Sequence, residues 1–250
     1  MDVRDKVSII TAAGSGIGKA TAKKFAEHGA VVVAADVNEQ AAAATAKELA
    51  EAGCQAAAEA CDVTDQAAVQ AMVQRVLDRH QRIDVLVNGV GWGNIEPFVD
   101  GTIEYWQLLL QRNLMGAIIC SHAVLASMME RQGGHIVSIA SDAGRVGSLG
   151  ETVYAAAKGG VIAFTKSLAR EVARYGVKVN CVSPGPTDTP LLREHAGSGS
   201  VIEKMVKAIP LRRIAQPEEI ANAIVFMASE ENSYITGQTL SVSGGLTMVG

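Results

Sequence analysis

Short runs that are apolar almost throughout alternate along the chain with longer stretches of helical composition. Val7–Thr11, Ala30–Asp36, Ile83–Asn88, His135–Ala140 and Val177–Val182 read as strands. Their lack of polar alternation predicts strands covered on both faces, as in a parallel sheet. Between them, residues 17–28, 39–52, 65–80, 103–131 and 152–175 have the composition and length of helices. Thr64, Asp65 and Thr102 stand where N-caps belong. This alternation predicts an α/β fold: a single doubly wound parallel sheet flanked by helices on both faces, with ligands beyond the carboxyl ends of the strands. No linker, repeat or low-complexity tract divides the chain, so residues 1–250 form one catalytic domain. The segment 184–216 has no strand pattern and contains the flexible run Gly197-Ser-Gly-Ser200. A connection of that length predicts a substrate lid.

Composition narrows the class. Apolar residues make up 48% of the chain and charged residues 19%, which describes a globular protein able to bury a core without metal or disulfide staples. A net charge of −4 and 4% aromatic residues supply neither the basic stripe nor the stacking platform of a nucleic-acid binder. Cys54, Cys61, Cys120 and Cys181 are scattered, with no C-x-x-C pair, so reduced thiols in a cytoplasmic protein are expected. His28, His80, His122 and His135 lack metal-ligand spacing, and His195 is expected to face solvent. No signal peptide, 18-residue apolar stretch or membrane partner is expected.

The stretch Thr11-Ala-Ala-Gly-Ser-Gly-Ile-Gly18 joins the first strand to the first helix. It is not G-x-G-x-x-G, whose third glycine would fall at Lys19, nor is it a phosphate loop of the G-x-x-x-x-G-K kind. Its context still aims backbone N–H groups and a positive helix end at a phosphate. Gly14, Ser15, Gly16, Ile17 and Gly18 are therefore candidates for a dinucleotide turn. Asp36 and Val37 end the second strand, where a carboxylate accepts hydrogen bonds from a ribose and repels a 2′-phosphate. NAD is expected rather than NADP, in a Rossmann arrangement.

Tyr154 and Lys158 have the i, i+4 spacing that puts two side chains on one helical face. An ammonium beside a phenol favours the phenolate, which makes a general acid or base usable near neutrality. Ser141 follows the strand ending at Ala140, on the rim where this fold binds ligands. Each residue alone has an ordinary explanation in packing, solvation or capping. Their joint occurrence behind a nucleotide turn does not.

On these residues the chain resembles the short-chain dehydrogenase/reductase family over its full length. The family pattern T-G-x-x-x-G-x-G falls on Thr11, Ala12, Gly16 and Gly18, and S-x12-Y-x3-K falls on Ser141, Tyr154 and Lys158. The resemblance implies that Asn113, Ser141, Tyr154 and Lys158 are catalytic. It implies that Asp62 and Val63 meet the adenine, that Asn88 and Gly89 form the cofactor wall, and that Pro184, Gly185, Thr187 and Thr189 lie on the nicotinamide side. Lys158 would also hold the nicotinamide ribose, and Asn113 a water leading protons to solvent. A homotetramer is implied too, with the helices at 103–131 and 152–175 suited to packing between subunits.

Two positions depart from the pattern. Ala12 stands at the first glycine, and Asn88-Gly89-Val90-Gly91 replaces N-N-A-G. Ala12 is expected to leave the turn intact, and Gly89 to loosen its loop.

The stretches around Ser141, Pro184 and the C-terminus resemble 2-hydroxycyclohexanecarboxyl-CoA dehydrogenases, which implies oxidation of a cyclic β-hydroxyacyl-CoA. Trp92, Val146, Leu149, Leu191 and Leu192 are candidates for an apolar pocket, and Arg145, Arg193, Lys204 and Lys207 for contacts to CoA phosphates. The alternatives are a β-ketoacyl thioester reductase and a non-catalytic NAD-binding scaffold.

Overall fold

A computed structural model describes residues 1–196 and 199–249, without the side chains of residues 195, 196, 199 and 200. Gly197, Ser198 and the side chain of His195 thus lie outside the described residues. Seven parallel strands form one sheet: β1 (Val7–Thr11), β2 (Val31–Asp36), β3 (Ala56–Ala60), β4 (Val85–Asn88), β5 (Gly134–Ile139), β6 (Val177–Pro184) and β7 (Thr239–Val242), in the order β3-β2-β1-β4-β5-β6-β7. The chain winds outward from β1 in one direction and then from β4 in the other. The crevice between their carboxyl ends is the switch point at which this topology binds ligands.

The sheet separates two apolar layers. Helices α3 (Gln66–His80), α5 (Gly116–Glu130) and α7 (Thr152–Val172) bury Val69, Met72, Val124, Met128, Leu168 and Val172 against one face. On the other, α1 (Gly16–Glu27) and α10 (Pro217–Ala228) bury Phe25, Ile220 and Ile224, while Leu49 of α2 (Glu39–Glu51) joins the same layer. The expected caps form. Asp65 accepts from the amides of Ala67 and Ala68, and Thr102 accepts from that of Tyr105 at the start of α4 (Ile103–Leu110). Helix α4 runs into α5 through a π-helical turn, Gln111–Met115, and a single turn, α6 (Ala143–Val146), precedes α7.

Besides β7 and α10, which the sequence pattern did not announce, the structure differs from the sequence reading in three places. β3 is Ala-Ala-Ala-Glu-Ala, a composition that favours helix, and it is a strand because Val32–Asp36 pair with it in register. The lid is not a loop: it carries helices α8 (Pro190–Ala196) and α9 (Gly199–Ala208). The helical stretch Ile103–Glu130 also contains an 18-residue window with a mean hydropathy of 1.4, apolar enough by length and composition to cross a membrane. Here it lies in the layer beside α3 and α7, with Cys120, Val124 and Met128 fully buried.

Candidate active site

A cavity of about 530 Å³ opens at the carboxyl ends of β1, β4, β5 and β6. The glycine turn forms one end of it, through Ala12, Ser15, Gly16, Ile17 and Gly18. Ser141, Tyr154 and Lys158 form one wall, while Pro184, Gly185, Thr187 and Thr189 lie on another. The lid closes the far side with Leu191, Leu192, Met205 and Ala208. Residues far apart in sequence therefore meet because the topology collects every strand end on one rim.

The turn is built by close approach. A Cβ on Gly18 would lie 2.0 Å from the Ala12 carbonyl oxygen, so only glycine lets α1 start there. Ser15 takes the N-cap position of α1 without a side-chain bond to the helix, which leaves the first amides facing the cavity. Ala12 has φ +55°, the left-handed region; the turn is intact, but at a strain cost of about 1 kcal/mol. Thr45 Oγ1 donates to the Ala13 carbonyl at 2.9 Å and holds the turn from α2.

Asp36 spans the mouth of this turn. Its Oδ2 accepts from the Gly14 amide and its Oδ1 from the Asn38 amide, both at 2.9 Å. Gly89 behaves oppositely to expectation. Its amide donates to Thr11 Oγ1 at 2.8 Å, and a Cβ there would lie 2.2 Å from the Thr11 carbonyl oxygen. The missing side chain tightens the join between β1 and β4 rather than loosening it, because the two backbones touch. Asn88 sits beneath, bonded to Ser121 and Ser138 at 3.1 Å. It ties the sheet to α5 and does not line the main cavity.

At the reacting end, Lys158 is 1% exposed. Its ammonium donates to the carbonyls of Val90 and Ile139, both at 2.8 Å. Burial pushes its pKa down to about 8. Burial also pushes the Tyr154 phenol above its ordinary value, the Glu151 charge adds to this, and a hydrogen bond with Ser141 opposes it. The expectation that Lys158 draws the phenol down is therefore not met. Desolvation wins, since the ammonium is engaged by backbone and stands 5.8 Å from the ring centroid. Ser141 Oγ also accepts from the Ala143 amide at 3.2 Å.

Asn113 lies in the π-helical turn, a distortion that often marks functional sites. Its amide clamps Trp92 in both directions, accepting from N at 3.0 Å and donating to O at 2.6 Å, with a further bond to the Leu109 carbonyl. The Trp92 ring packs on Tyr105 and under the Arg112 guanidinium at 4.3 Å. Trp92 and Arg145 do not line the main cavity; Arg145 donates to the Val249 carbonyl at 2.7 Å. Leu149 points away, 97% exposed, while Val146, Leu191 and Leu192 do line it. Arg193 is paired in two bonds with Asp188. Asp62 holds Thr64, Val63 packs against Gly116, and Val37 is exposed. Thr187 donates to the Gly185 carbonyl and Thr189 accepts from the Leu192 amide.

Sequence reasoning missed Glu151, Met205, Ala208, Leu246 and Thr247 on the cavity wall. Glu151 was within reach, since it lies three residues before Tyr154. The C-terminal residues were not, because only the β6–β7 pairing brings them here.

A close-packed glycine turn at a helix start, a carboxylate bonded to that turn and a tyrosine–lysine–serine wall fit a bound dinucleotide. They define a nicotinamide-dependent oxidoreductase. The model of a family described as enoyl-acyl-carrier-protein reductase matches residues 11–247, and the chain belongs to the short-chain dehydrogenase/reductase family. It is similar to the hydroxy(phenyl)methylsuccinyl-CoA dehydrogenase subunit BbsD of Thauera aromatica, at 36% identity over 99% of both chains. It is also similar to the 3-oxoacyl-acyl-carrier-protein reductase FabG of Vibrio harveyi, at 39% identity over 100% of both. A solved structure titled ribose-5-phosphate isomerase, from Brucella melitensis, superposes with a TM-score of 0.90 at 38% identity, covering 97% of this chain and 92% of that one.

Proposed function

We propose that the chain is an NAD-linked dehydrogenase that oxidises the secondary alcohol of a cyclic β-hydroxyacyl-CoA, such as 2-hydroxycyclohexanecarboxyl-CoA, to the β-keto thioester. The observation that carries this reading is that Ser141 and Tyr154 share one cavity wall with the glycine turn at its far end, while Asp36 is bonded to that turn through the Gly14 amide. Asp36 supports NAD, since a carboxylate held against Gly14 leaves a 2′-phosphate facing a like charge. Tyr154 takes the hydroxyl proton, and Ser141 orients the reacting oxygen. Lys158 holds the ribose and contributes its charge beside the phenol. When bound, the nicotinamide accepts the hydride that the carbinol carbon gives up. Asn113 fixes the loop at Trp92 and holds the water through which the proton leaves.

The similarity to BbsD supports a CoA thioester. Lys204 and Lys207 are exposed on α9, whose Met205 and Ala208 line the cavity, and these lysines meet the CoA phosphates. Arg145 and Arg193, engaged elsewhere, are the weaker candidates for that role. Exposed Leu108, Leu110 and Met115 on the 103–130 helix support assembly as a homotetramer, which light scattering tests. The protein is expected to work in the cytoplasm.

A second reading, reduction of a β-ketoacyl thioester, is favoured by the similarity to FabG. Following NADH and NADPH absorbance with cyclic and linear hydroxyacyl and ketoacyl thioesters decides between them. Turnover of cyclic hydroxyacyl-CoA with NAD supports the first reading. Activity confined to ketoacyl thioesters with NADPH replaces it with the second, and no turnover at all points to a non-catalytic scaffold.

A further inference from the structure

One charged side chain on the cavity wall takes no part in the chemistry above. Glu151 immediately precedes α7 and lies one helical turn before Tyr154, and both line the cavity. Its carboxylate does not cap the helix and joins no ion pair among the described residues. The remaining charges on the wall are already engaged. Asp142 is 4% exposed, and both its oxygens take the Ser241 hydroxyl at 2.8 Å. Lys158, the one cation lining the cavity among the described residues, gives its protons to Val90 and Ile139. The uncharged remainder of the wall includes the apolar side chains of Ile95, Val146, Leu191, Leu192, Met205 and Leu246.

We propose that Glu151 is a specificity-determining residue that excludes free carboxylates and restricts the site to hydroxyacyl substrates whose acid is masked as a neutral ester or thioester. The proposal deepens the substrate class given above and rests on that reading. A β-hydroxy acid whose hydroxyl sits at Tyr154 and Ser141 has its carboxyl carbon only two bonds from the carbinol carbon, inside the same cavity. Two anions in one cavity, whose one cation among the described residues, Lys158, is tied to the Val90 and Ile139 carbonyls, repel, and such repulsion is the negative half of specificity. A thioester carbonyl at the same place carries no charge and meets no penalty. The same field acts on the neighbouring phenol, which Glu151 pushes upward.

Calorimetric binding to NADH-loaded protein tests this without turnover, using cyclohexanecarboxylate and its methyl ester as probes. In the wild type the ester is expected to bind at least about tenfold tighter than the carboxylate, equivalent to ~1.4 kcal/mol. Glu151→Gln keeps the shape and removes the charge, and should shrink the gap to within about threefold, or ~0.7 kcal/mol; Glu151→Lys should reverse the order. A shift of the kcat pH profile to lower pH in Glu151→Gln gives a second mark, one that a purely structural role would not produce. Equal affinities in the wild type, a gap unchanged in Glu151→Gln, or no measurable binding of either probe overturns the proposal. Failure of the dehydrogenase reading looks different: no NADH forms from hydroxyacyl thioesters while the order of binding persists.

Discussion

The Lys158 ammonium stands 5.8 Å from the centroid of the Tyr154 ring and spends its hydrogen bonds on the carbonyls of Val90 and Ile139. The two groups on which the proposed chemistry depends are thus close but not bonded, and burial disfavours the charged form of each. In the proposed oxidation Tyr154 accepts the hydroxyl proton as its phenolate, and in the reverse direction the phenol returns it. Tyr154→Phe is expected to lower kcat about 10²- to 10⁴-fold, the usual range for a general acid or base. Steady-state kinetics check this, and wild-type turnover in the variant would remove Tyr154 from the mechanism.

The lysine also makes stability depend on pH. Its pKa falls from 10.5 in the unfolded chain to about 8 in the folded one. Above pH 8 the folded protein releases a proton that the unfolded chain retains, so stability rises with pH at up to about 1.4 kcal/mol per unit. The buried thiols of Cys61 and Cys181, pushed up to about 11, act in the opposite sense above pH 9. Between pH 8 and 9 the cofactor-free wild type should therefore gain stability relative to Lys158→Met, as measured by urea unfolding. Parallel curves would refute the buried, depressed lysine.

Ala12 and Gly89 carry opposite strains at the head of the cofactor turn. Ala12→Gly relieves a left-handed alanine and should stabilise by up to about 1 kcal/mol, or ~2–4 °C in Tm for a domain of this size. NAD affinity should change by less than about tenfold, ~1.4 kcal/mol; a hundredfold tightening would show that Ala12 distorts the turn. Gly89→Ala forces a methyl against the Thr11 carbonyl and should cost about 1–3 kcal/mol. Thermal melts of both variants read the contrast.

In the proposed reading the Asp36 carboxylate sets the cofactor preference. Wild-type protein should prefer NAD to NADP, and Asp36→Asn should narrow that preference at least about tenfold, the equivalent of ~1.4 kcal/mol, by removing the charge that repels a 2′-phosphate. Titration with both dinucleotides checks this. An unchanged ratio would place the discrimination elsewhere.

His135 makes the fold acid-sensitive. Burial, aided by the Lys178 charge, pulls its pKa down from 6.5 to about 4. As pH falls from 6.5 towards 4.5, the unfolded histidine takes up a proton that the folded one refuses, so stability is lost. Over this range the ion-paired carboxylates Glu48 and Glu219, held at about 2, contribute little. His80, also depressed by burial, shares the effect. His135→Gln should flatten the melting-temperature profile in that window, and an unaltered slope would assign the loss to other groups.

Much of this architecture was legible in the linear pattern. A run such as Val31–Ala35 has no polar face, so it had to be covered on both sides, and the alternation of such runs with helical stretches implies a doubly wound parallel sheet. Local chemistry fixed the caps at Asp65 and Thr102, and helical geometry put Tyr154 and Lys158 on one face. What escaped was whatever depends on a partner distant in sequence. Ala56–Ala60 is a strand only because β2 offers it hydrogen bonds in register. Gly89 is tight rather than loose only because β1 passes within contact of it. The lysine fails to lower the tyrosine pKa because the carbonyls of Val90 and Ile139, invisible at i, i+4 spacing, capture the ammonium first. Periodicity and spacing are properties of one segment at a time, so the sequence by itself determined most of the elements, their winding and the candidate reacting groups. Burial, contact and the field at those groups arise between segments, and only the tertiary structure decided them.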